Sequence, residues 1–472
     1  MLVIKKLSGD RLRSKLVLTI MCGLVLFFPL FKGGNYPGAM SVFIFSTGLV
    51  FLLSITELLY ERDKYWVLVW GVFSVAILFH VFIYPFFFVN ERFFIDGLSS
   101  QVGVELNSKS SSKIRMLEVW SFFTSMWLFA WRVSLLNLKQ LGLLLTVLFM
   151  ASSFQVLFGL ERFISDASNI LGLWTKEFYL DDATGTFVNR NHFAGMLAIT
   201  SPLILSALLM PKPLILPSLS QSYRVILSLL YLMLLILALV SSHSRMGGVA
   251  AILGLIVCYF FNWQIRNRSS HKMNILKVIS VVSFLILFSV WFGLGDILQR
   301  YTELADGNSR FDVWGALFTK IPTVVWFFGA GPGAFESIFQ IIKPSNFSVR
   351  FIYAHNDYLE FVFEFGVLLS CFIGVAVFIW VKNFYRFFKF GGYLKAGVYG
   401  AISAVSVHSL VDFNLQVPAS ALCFWLCIGV LVNKEIVFDV ESSPQSPRSS
   451  RKRPRFRLPR NKREWLNYLK SD

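Results

Sequence analysis

Charged residues are scarce in this chain, at 15% of 472 positions against 56% apolar. A soluble domain of that length needs far more polar surface, so the composition excludes a soluble globular protein and leaves a polytopic membrane protein. Cysteine is rare as well. Cys22, Cys258, Cys371, Cys423 and Cys427 each fall inside an apolar run, without the spacing of a disulfide framework or a metal site. Neither an HExxH nor a CxxC pattern occurs, which argues against zinc chemistry and leaves no metal or cofactor to expect. The glycine loop Gly329-Ala330-Gly331-Pro332-Gly333 lacks a following Lys-Ser/Thr, so it is no Walker sequence. A phosphate cradle and a tight interfacial turn both remain open for it. No internal repeat or inverted symmetry is visible, which counts against a secondary transporter.

What the chain has instead is long apolar runs. A bilayer span takes roughly 20 predominantly apolar residues. Twelve candidates lie near 16–31, 38–60, 65–89, 116–136, 141–160, 192–210, 224–241, 246–262, 275–293, 358–381, 394–411 and 417–433. The expected fold is therefore an all-α bundle of about twelve transmembrane helices. The basic opening segment before the first run has no small-residue cleavage site after it, and it reads as a retained first span.

Orientation follows from the lysine and arginine bias of the short loops. With the N-terminus inside, alternate loops carry Arg62 and Lys64, Lys139, Lys212 and Arg224, then Arg266, Arg268 and Lys272, then Lys382, Arg386 and Lys389. The opposite loops hold most of the acids, including Asp181, Asp182, Asp296, Asp306 and Asp312. Both termini are then cytoplasmic. Residues 1–160 form an N-terminal group of spans, and 161–433 form the region where function is expected. Long outer segments fall near 90–115, 161–191 and 294–357. The last holds helix-like stretches at Arg310–Phe318 and Ala334–Ile341.

Eleven of the basic residues lie between Lys434 and Lys470 in a segment rich in proline and serine. Residues 434–472 read as a disordered cytoplasmic tail that faces lipid, at roughly 1 kcal/mol per cation near an anionic leaflet, rather than as a nucleic-acid site.

Threading brings the chemistry-bearing motifs to one face. Asn189-Arg190-Asn191-His192, Ser244-Arg245, Ser309-Arg310 and Ala354-His355-Asn356-Asp357-Tyr358 all fall outside. The sixth, eighth and tenth runs all point their helix N-termini outward, and each is opened or preceded by Arg190 and His192, by Arg245, or by His355. A helix N-terminus offers free amides and about half a positive charge, so three such ends suit a diphosphate. Arginine suits it too, because its planar fork bonds phosphate at two points and does not deprotonate. Arg190, Arg245 and Arg310 are candidate diphosphate ligands. An interfacial arginine snorkelling to headgroups is the alternative for each.

His355 is the candidate general base. Asp357 and Glu360 are spaced like a helix cap and its third position, which puts His355 just outside the first turn. Nearby arginines and the helix end disfavour imidazolium, so the ring stays neutral and able to take a hydroxyl proton. His192, His243 and His408 suit structural hydrogen bonds better, with His408 one turn from Asp412. His80 and Arg132 read as interior residues. A transporter path would need charges through the bilayer midplane, whereas the distinctive charges here gather at one face.

These motifs together resemble the O-antigen ligase and polymerase superfamily. The resemblance rests on Phe187-Val188-Asn189-Arg190-Asn191-His192-Phe193-Ala194-Gly195, Ser244-Arg245-Met246-Gly247-Gly248, the glycine loop with Ala334-Phe335, Ala354-His355-Asn356-Asp357-Tyr358-Leu359-Glu360 with Glu364-Phe365-Gly366, and His408-Ser409-Leu410-Val411-Asp412-Phe413-Asn414 with Pro418-Ala419. It covers about residues 185–430. Met246 stands where many relatives have glycine. The resemblance implies a GT-C-type bundle in the bacterial inner membrane with a large periplasmic loop. It implies metal-independent, inverting transfer of a glycan from undecaprenyl diphosphate to an acceptor hydroxyl at the periplasmic face. His355 would be the base and Arg190, Arg245 and Arg310 the donor ligands. Asn189, His192, Asn356, Asp357, Tyr358, His408 and Asp412 would support them. The acceptor would be lipid A-core for a ligase, a growing polysaccharide for a polymerase, or a protein hydroxyl.

Overall fold

The computed structural model describes residues 2–36, 38–58, 64–83, 109–267, 310–343, 350–389, 392–433 and 435–436. The expected ninth run, the tail and most of the outer segment 90–115 lie outside the described residues. Helices dominate: α1 (Leu2–Phe27), α2 (Ala39–Leu58), α3 (Lys64–Leu78), α4 (Lys109–Ser134), α5 (Leu138–Ile164), α6 (Arg190–Leu209), α7 (Gln221–Ser241) and α8 (Arg245–Asn267). Then come α9 (Arg310–Lys320), α10 (Thr323–Phe328), α11 (Phe335–Ile342), α12 (Asp357–Lys389), α13 (Tyr393–His408) and α14 (Pro418–Leu431). Eleven of the twelve apolar runs thus carry described helix. Among the described residues seven helices are long and apolar enough to cross a membrane. The fold is an all-α polytopic membrane protein. One feature was not expected from the sequence: a two-stranded antiparallel hairpin, β1 (Asn169–Ile170) with β2 (Trp174–Thr175), in the segment before α6.

Helix α6 is the central pillar, with 89% of its apolar window buried against 28% for α7. Helices α8 and α13 close around it. Gly254 of α8 and Gly400 of α13 meet backbone to backbone, and a Cβ at Gly400 would lie 2.3 Å from the Gly254 carbonyl oxygen. Small residues at such crossings let helices approach closely, and van der Waals packing then replaces the hydrophobic drive that lipid cannot supply. The same logic explains why α13, at 16 residues, is rich in glycine, alanine and serine. It is covered by protein rather than by lipid. Elsewhere the packing is bulky: Trp66, Trp127 and Trp380 interlock with ring centroids 4.6–6.1 Å apart between α3, α4 and α12.

The segment from α9 to the start of α12 builds its own small core. Val313, Leu317, Val325, Phe335, Phe339, Phe351 and Phe363 are buried together, which joins α9, α10 and α11 to the first turns of α12. The helix-like stretches expected at Arg310–Phe318 and Ala334–Ile341 are present as α9 and α11. The glycine loop between α10 and α11 is clamped onto α12. Gly366 interrupts that helix at φ +71°, and Gly329 faces it at φ +92°. A side chain at either would strike the other's backbone, at 2.4 Å from the Gly329 nitrogen in the case of Gly366. The carbonyls freed near the break accept from Ala330 and Gly331 at 2.9 Å. The loop cradles a carboxyl group, the chain's own: the amides of Gly333, Ala334 and Phe335 serve Glu364.

Candidate active site

The N-termini of α6 and α8 meet as the sequence suggests. Asn189 caps α6 through the Asn191 amide at 2.8 Å, so Arg190 is the first helical residue. Ser244 caps α8 through the Gly247 amide, and its hydroxyl donates to Asn191 at 2.9 Å. Arg245 therefore opens α8 directly beside the start of α6, half-buried. Arg310 opens α9. At α12 the cap lies one residue earlier than expected. Asn356, not Asp357, accepts from the Tyr358 and Leu359 amides at 3.1 and 3.0 Å. Glu360 reaches back past the cap to the Ala354 amide at 2.7 Å. His355 sits just outside the first turn, with a left-handed φ of +54°.

Asp357 and Tyr358 have structural tasks at this junction. The Asp357 carboxylate accepts from the Ser409 hydroxyl at 2.6 Å and the Leu415 amide at 3.1 Å. Its own amide donates to the Ser409 carbonyl at 3.0 Å. The Tyr358 hydroxyl donates to the Ser406 carbonyl at 3.0 Å. Together they staple the turn between α13 and α14 to the start of α12. That turn carries Asp412.

Two carboxylates organise the charges. The first is Asp182, in the loop after the hairpin. It receives Arg190 at 2.9 and 3.1 Å and His243 Nδ1 at 2.6 Å. The Tyr179 ring lies over the Arg190 guanidinium, 5.2 Å from its centre. Lys176 donates to the Asp182 carbonyl at 2.6 Å and so fixes the loop. The second is Asp412, fully buried. Arg310 reaches its carboxylate at 3.3 Å and also donates to the Val411 carbonyl. His192 Nε2 and His355 Nδ1 each lie 3.7 Å from the same oxygen, and His408 Nε2 lies 4.0 Å from the other. These distances exceed hydrogen-bond range. The facing nitrogens of the three rings have no hydrogen-bond partner among the described residues.

Electrostatics separate base from acid here. Burial pushes His355 below its ordinary value; Asp412 opposes this, while Arg310 and His192 add to it. Burial alone would raise Asp412, but His192, His355 and Arg310 outweigh it and hold that carboxyl well below the usual range. A neutral imidazole thus faces an ionised carboxylate, an arrangement that favours the Nδ1–H tautomer and leaves Nε2 as the basic edge.

The structure therefore brings Arg310, His355, His192, His408 and Asp412 together, and Asn189, Arg190 and Arg245 to the neighbouring helix starts. It also gives Arg190 and Arg310 carboxylate partners that the sequence reading had not paired with them. Among the described residues no group of three His, Cys, Asp or Glu side chains has metal-holding geometry. His80 is an interior histidine with both ring nitrogens 3.0 Å from backbone carbonyls, and Arg132 is buried. Nothing in the sequence pairs Asp182 with a cation except its place eight residues before Arg190 in the same connecting segment.

Residues 230–373 match the family model described as O-antigen ligase. A curated relative, the ComP-specific O-oligosaccharyltransferase of Acinetobacter baylyi, is 23% identical over 215 residues. That match takes in 44% of this chain and 38% of the relative, so well under two thirds of the relative's length is covered. The family match contains Arg245, Arg310 and His355.

Proposed function

We propose that this chain is a membrane glycan transferase that moves a glycan from undecaprenyl diphosphate to an acceptor hydroxyl at the outer, periplasmic face of the bacterial inner membrane. One observation carries the reading: a half-buried His355 set beside the buried Asp412 carboxyl and Arg310, close to the helix start that bears His192, in a segment similar to O-antigen ligases. The acceptor hydroxyl attacks the anomeric carbon, the bond to the diphosphate breaks with inversion, and the hydroxyl proton passes to His355 Nε2. Asp412 holds the tautomer and balances the imidazolium that results. The 3.7 Å gap closes in the loaded state, as long catalytic contacts in empty sites commonly do. Arg190, Arg245 and Arg310 take the leaving diphosphate, with charge-assisted bonds of about 1.5–3 kcal/mol each. The donor displaces or shares Arg190 and Arg310 with Asp182 and Asp412, so donor binding is an exchange of anions.

Ligation of polysaccharide to lipid A-core is the leading reading of the acceptor. A protein hydroxyl is the second, favoured by the similarity to an O-oligosaccharyltransferase. The test is reconstitution with undecaprenyl-diphosphate glycan in EDTA, with and without lipid A-core. Core-dependent glycolipid supports ligation, and longer donor-linked chains without core make the protein a polymerase. Neither product from an active donor turns the search to protein acceptors, and failure there as well removes glycan transfer.

A further inference from the structure

Nothing that hydrogen-bonds the His192 and His355 rings explains why both stop at the same 3.7 Å from one Asp412 oxygen. An aromatic side chain does. The Phe413 ring meets His192 edge to face at 4.5 Å and His355 edge to face at 4.8 Å, both at 73°. On a further side Tyr353 packs against it at 4.5 Å. The Phe413 amide donates to the Asp412 carboxylate at 2.9 Å, so ring and carboxylate are fixed to one point of the backbone. Edge-to-face contacts of this kind contribute about 0.5–1.5 kcal/mol beyond area burial and have directional preference.

We propose that Phe413 is a positioning residue: its ring sets the His192 and His355 imidazoles at their shared distance from Asp412. The inference deepens the reading of His355 as base and rests on it for its kinetic consequence, although not for its geometry. Phe413 touches no reacting atom. It acts by limiting where the two rings can go, and misplacement by about 1 Å can cost on the order of a hundredfold in rate. The charged and titratable groups around His355 are Asp412 on the turn after α13, His192 on α6, Arg310 on α9 and His408 on α13. A substitution at Phe413 removes none of these groups and changes only what packs against the two rings.

The experiment uses the full chain in lipid nanodiscs and compares wild type, Phe413→Leu, Phe413→Met and Phe413→Tyr. Diethyl pyrocarbonate labelling, read per histidine by peptide mass spectrometry across pH, reports exposure and protonation without reference to activity. In Phe413→Leu and Phe413→Met, labelling of His192 and His355 should rise severalfold, and the His355 midpoint should move up toward the ordinary histidine value. His80, packed elsewhere, should not change and so reports intact folding. Turnover should fall at least about tenfold with donor KM within about twofold, and Phe413→Tyr should restore both. Unchanged labelling at both rings in a folded variant overturns the proposal, as does an unchanged turnover number. Altered labelling in a protein that never transfers glycan, wild type included, keeps the positioning role and removes the glycan-transfer reading instead. Should Phe413→Leu expose His80, the methionine variant decides.

Discussion

Asp182 and Asp412 are buried carboxylates at the same end of the bundle, each facing an arginine and at least one histidine, but their contacts differ in kind. Around Asp182 the contacts are 2.6–3.1 Å. Around Asp412 the contacts from arginine and histidine side chains run from 3.3 to 4.0 Å, and the three imidazole nitrogens turned toward it lack hydrogen-bond partners among the described residues. A buried polar group without a partner costs roughly 1–3 kcal/mol, so a cluster of them is retained where something other than stability is served. The tight cluster fixes a loop to two helix starts. The loose one is poised to change partners, which is what a proton acceptor and an anion site require.

The largest expected effect falls on the loose cluster. His355→Ala should reduce transfer by about a thousandfold or more while membrane insertion and the circular dichroism spectrum stay as they are. Near-normal turnover would remove His355 as the base. Next comes the exchange that tests the comparison itself. Asp412→Asn should lose about a hundredfold in turnover with a small change in melting temperature, because tautomer control and the ion pair to Arg310 go while shape remains. Asp182→Asn should do the reverse, with a loss of about 2–3 kcal/mol in stability and turnover within several-fold. If the two variants trade phenotypes, tightness of contact does not separate structure from chemistry here.

Arg245→Lys sharpens the picture at the helix starts. Charge is kept but the fork is lost, so donor KM should rise about tenfold, and an unchanged KM would mark a structural arginine. The smallest effect is on pH. His355 is pushed below its ordinary value of 6.5 by burial, so as the pH falls the ring gains its proton later than a free imidazole would. The acid limb of turnover should therefore lie below pH 6.5, and a limb at or above it would contradict the burial argument.

Much of this was legible in the sequence. Apolar runs mark the helices because lipid demands them, and His355, Arg190, Arg245 and Arg310 stand out because cations and histidine are rare at helix starts. The pairings were not legible, because they join residues far apart in the chain. His243 lies 61 residues from Asp182 and Arg310 lies 102 from Asp412, separations that carry no local pattern. The glycine loop was ambiguous for a related reason: the carboxyl it cradles, Glu364, is supplied from a helix that begins only at Asp357. Phe413 stands inside the motif His408–Asn414, but its contact with two histidines left no mark there, because phenylalanine, at 50 residues, is the background of this composition.

Helix α13 has a consequence for biosynthesis. Its 16 residues are fewer than a bilayer span takes, seven of them are glycine, alanine or serine, and Lys395 is buried among them, so it has less of its own to partition into lipid than a full span has. What stabilises it is contact with α6 and α8, which leave the ribosome earlier. It should therefore enter the membrane by docking onto helices already inserted. Asp412, on the turn that follows, arrives with it. Until then the nascent chain carries His355 and Arg310 without the carboxylate that joins them, so competence is conferred at the close of synthesis. Staged translation into membranes checks this order: chains carrying a cysteine introduced in α13, and arrested once that segment has cleared the ribosome, should leave it accessible to aqueous thiol probes when α6 is deleted, and protected when it is present.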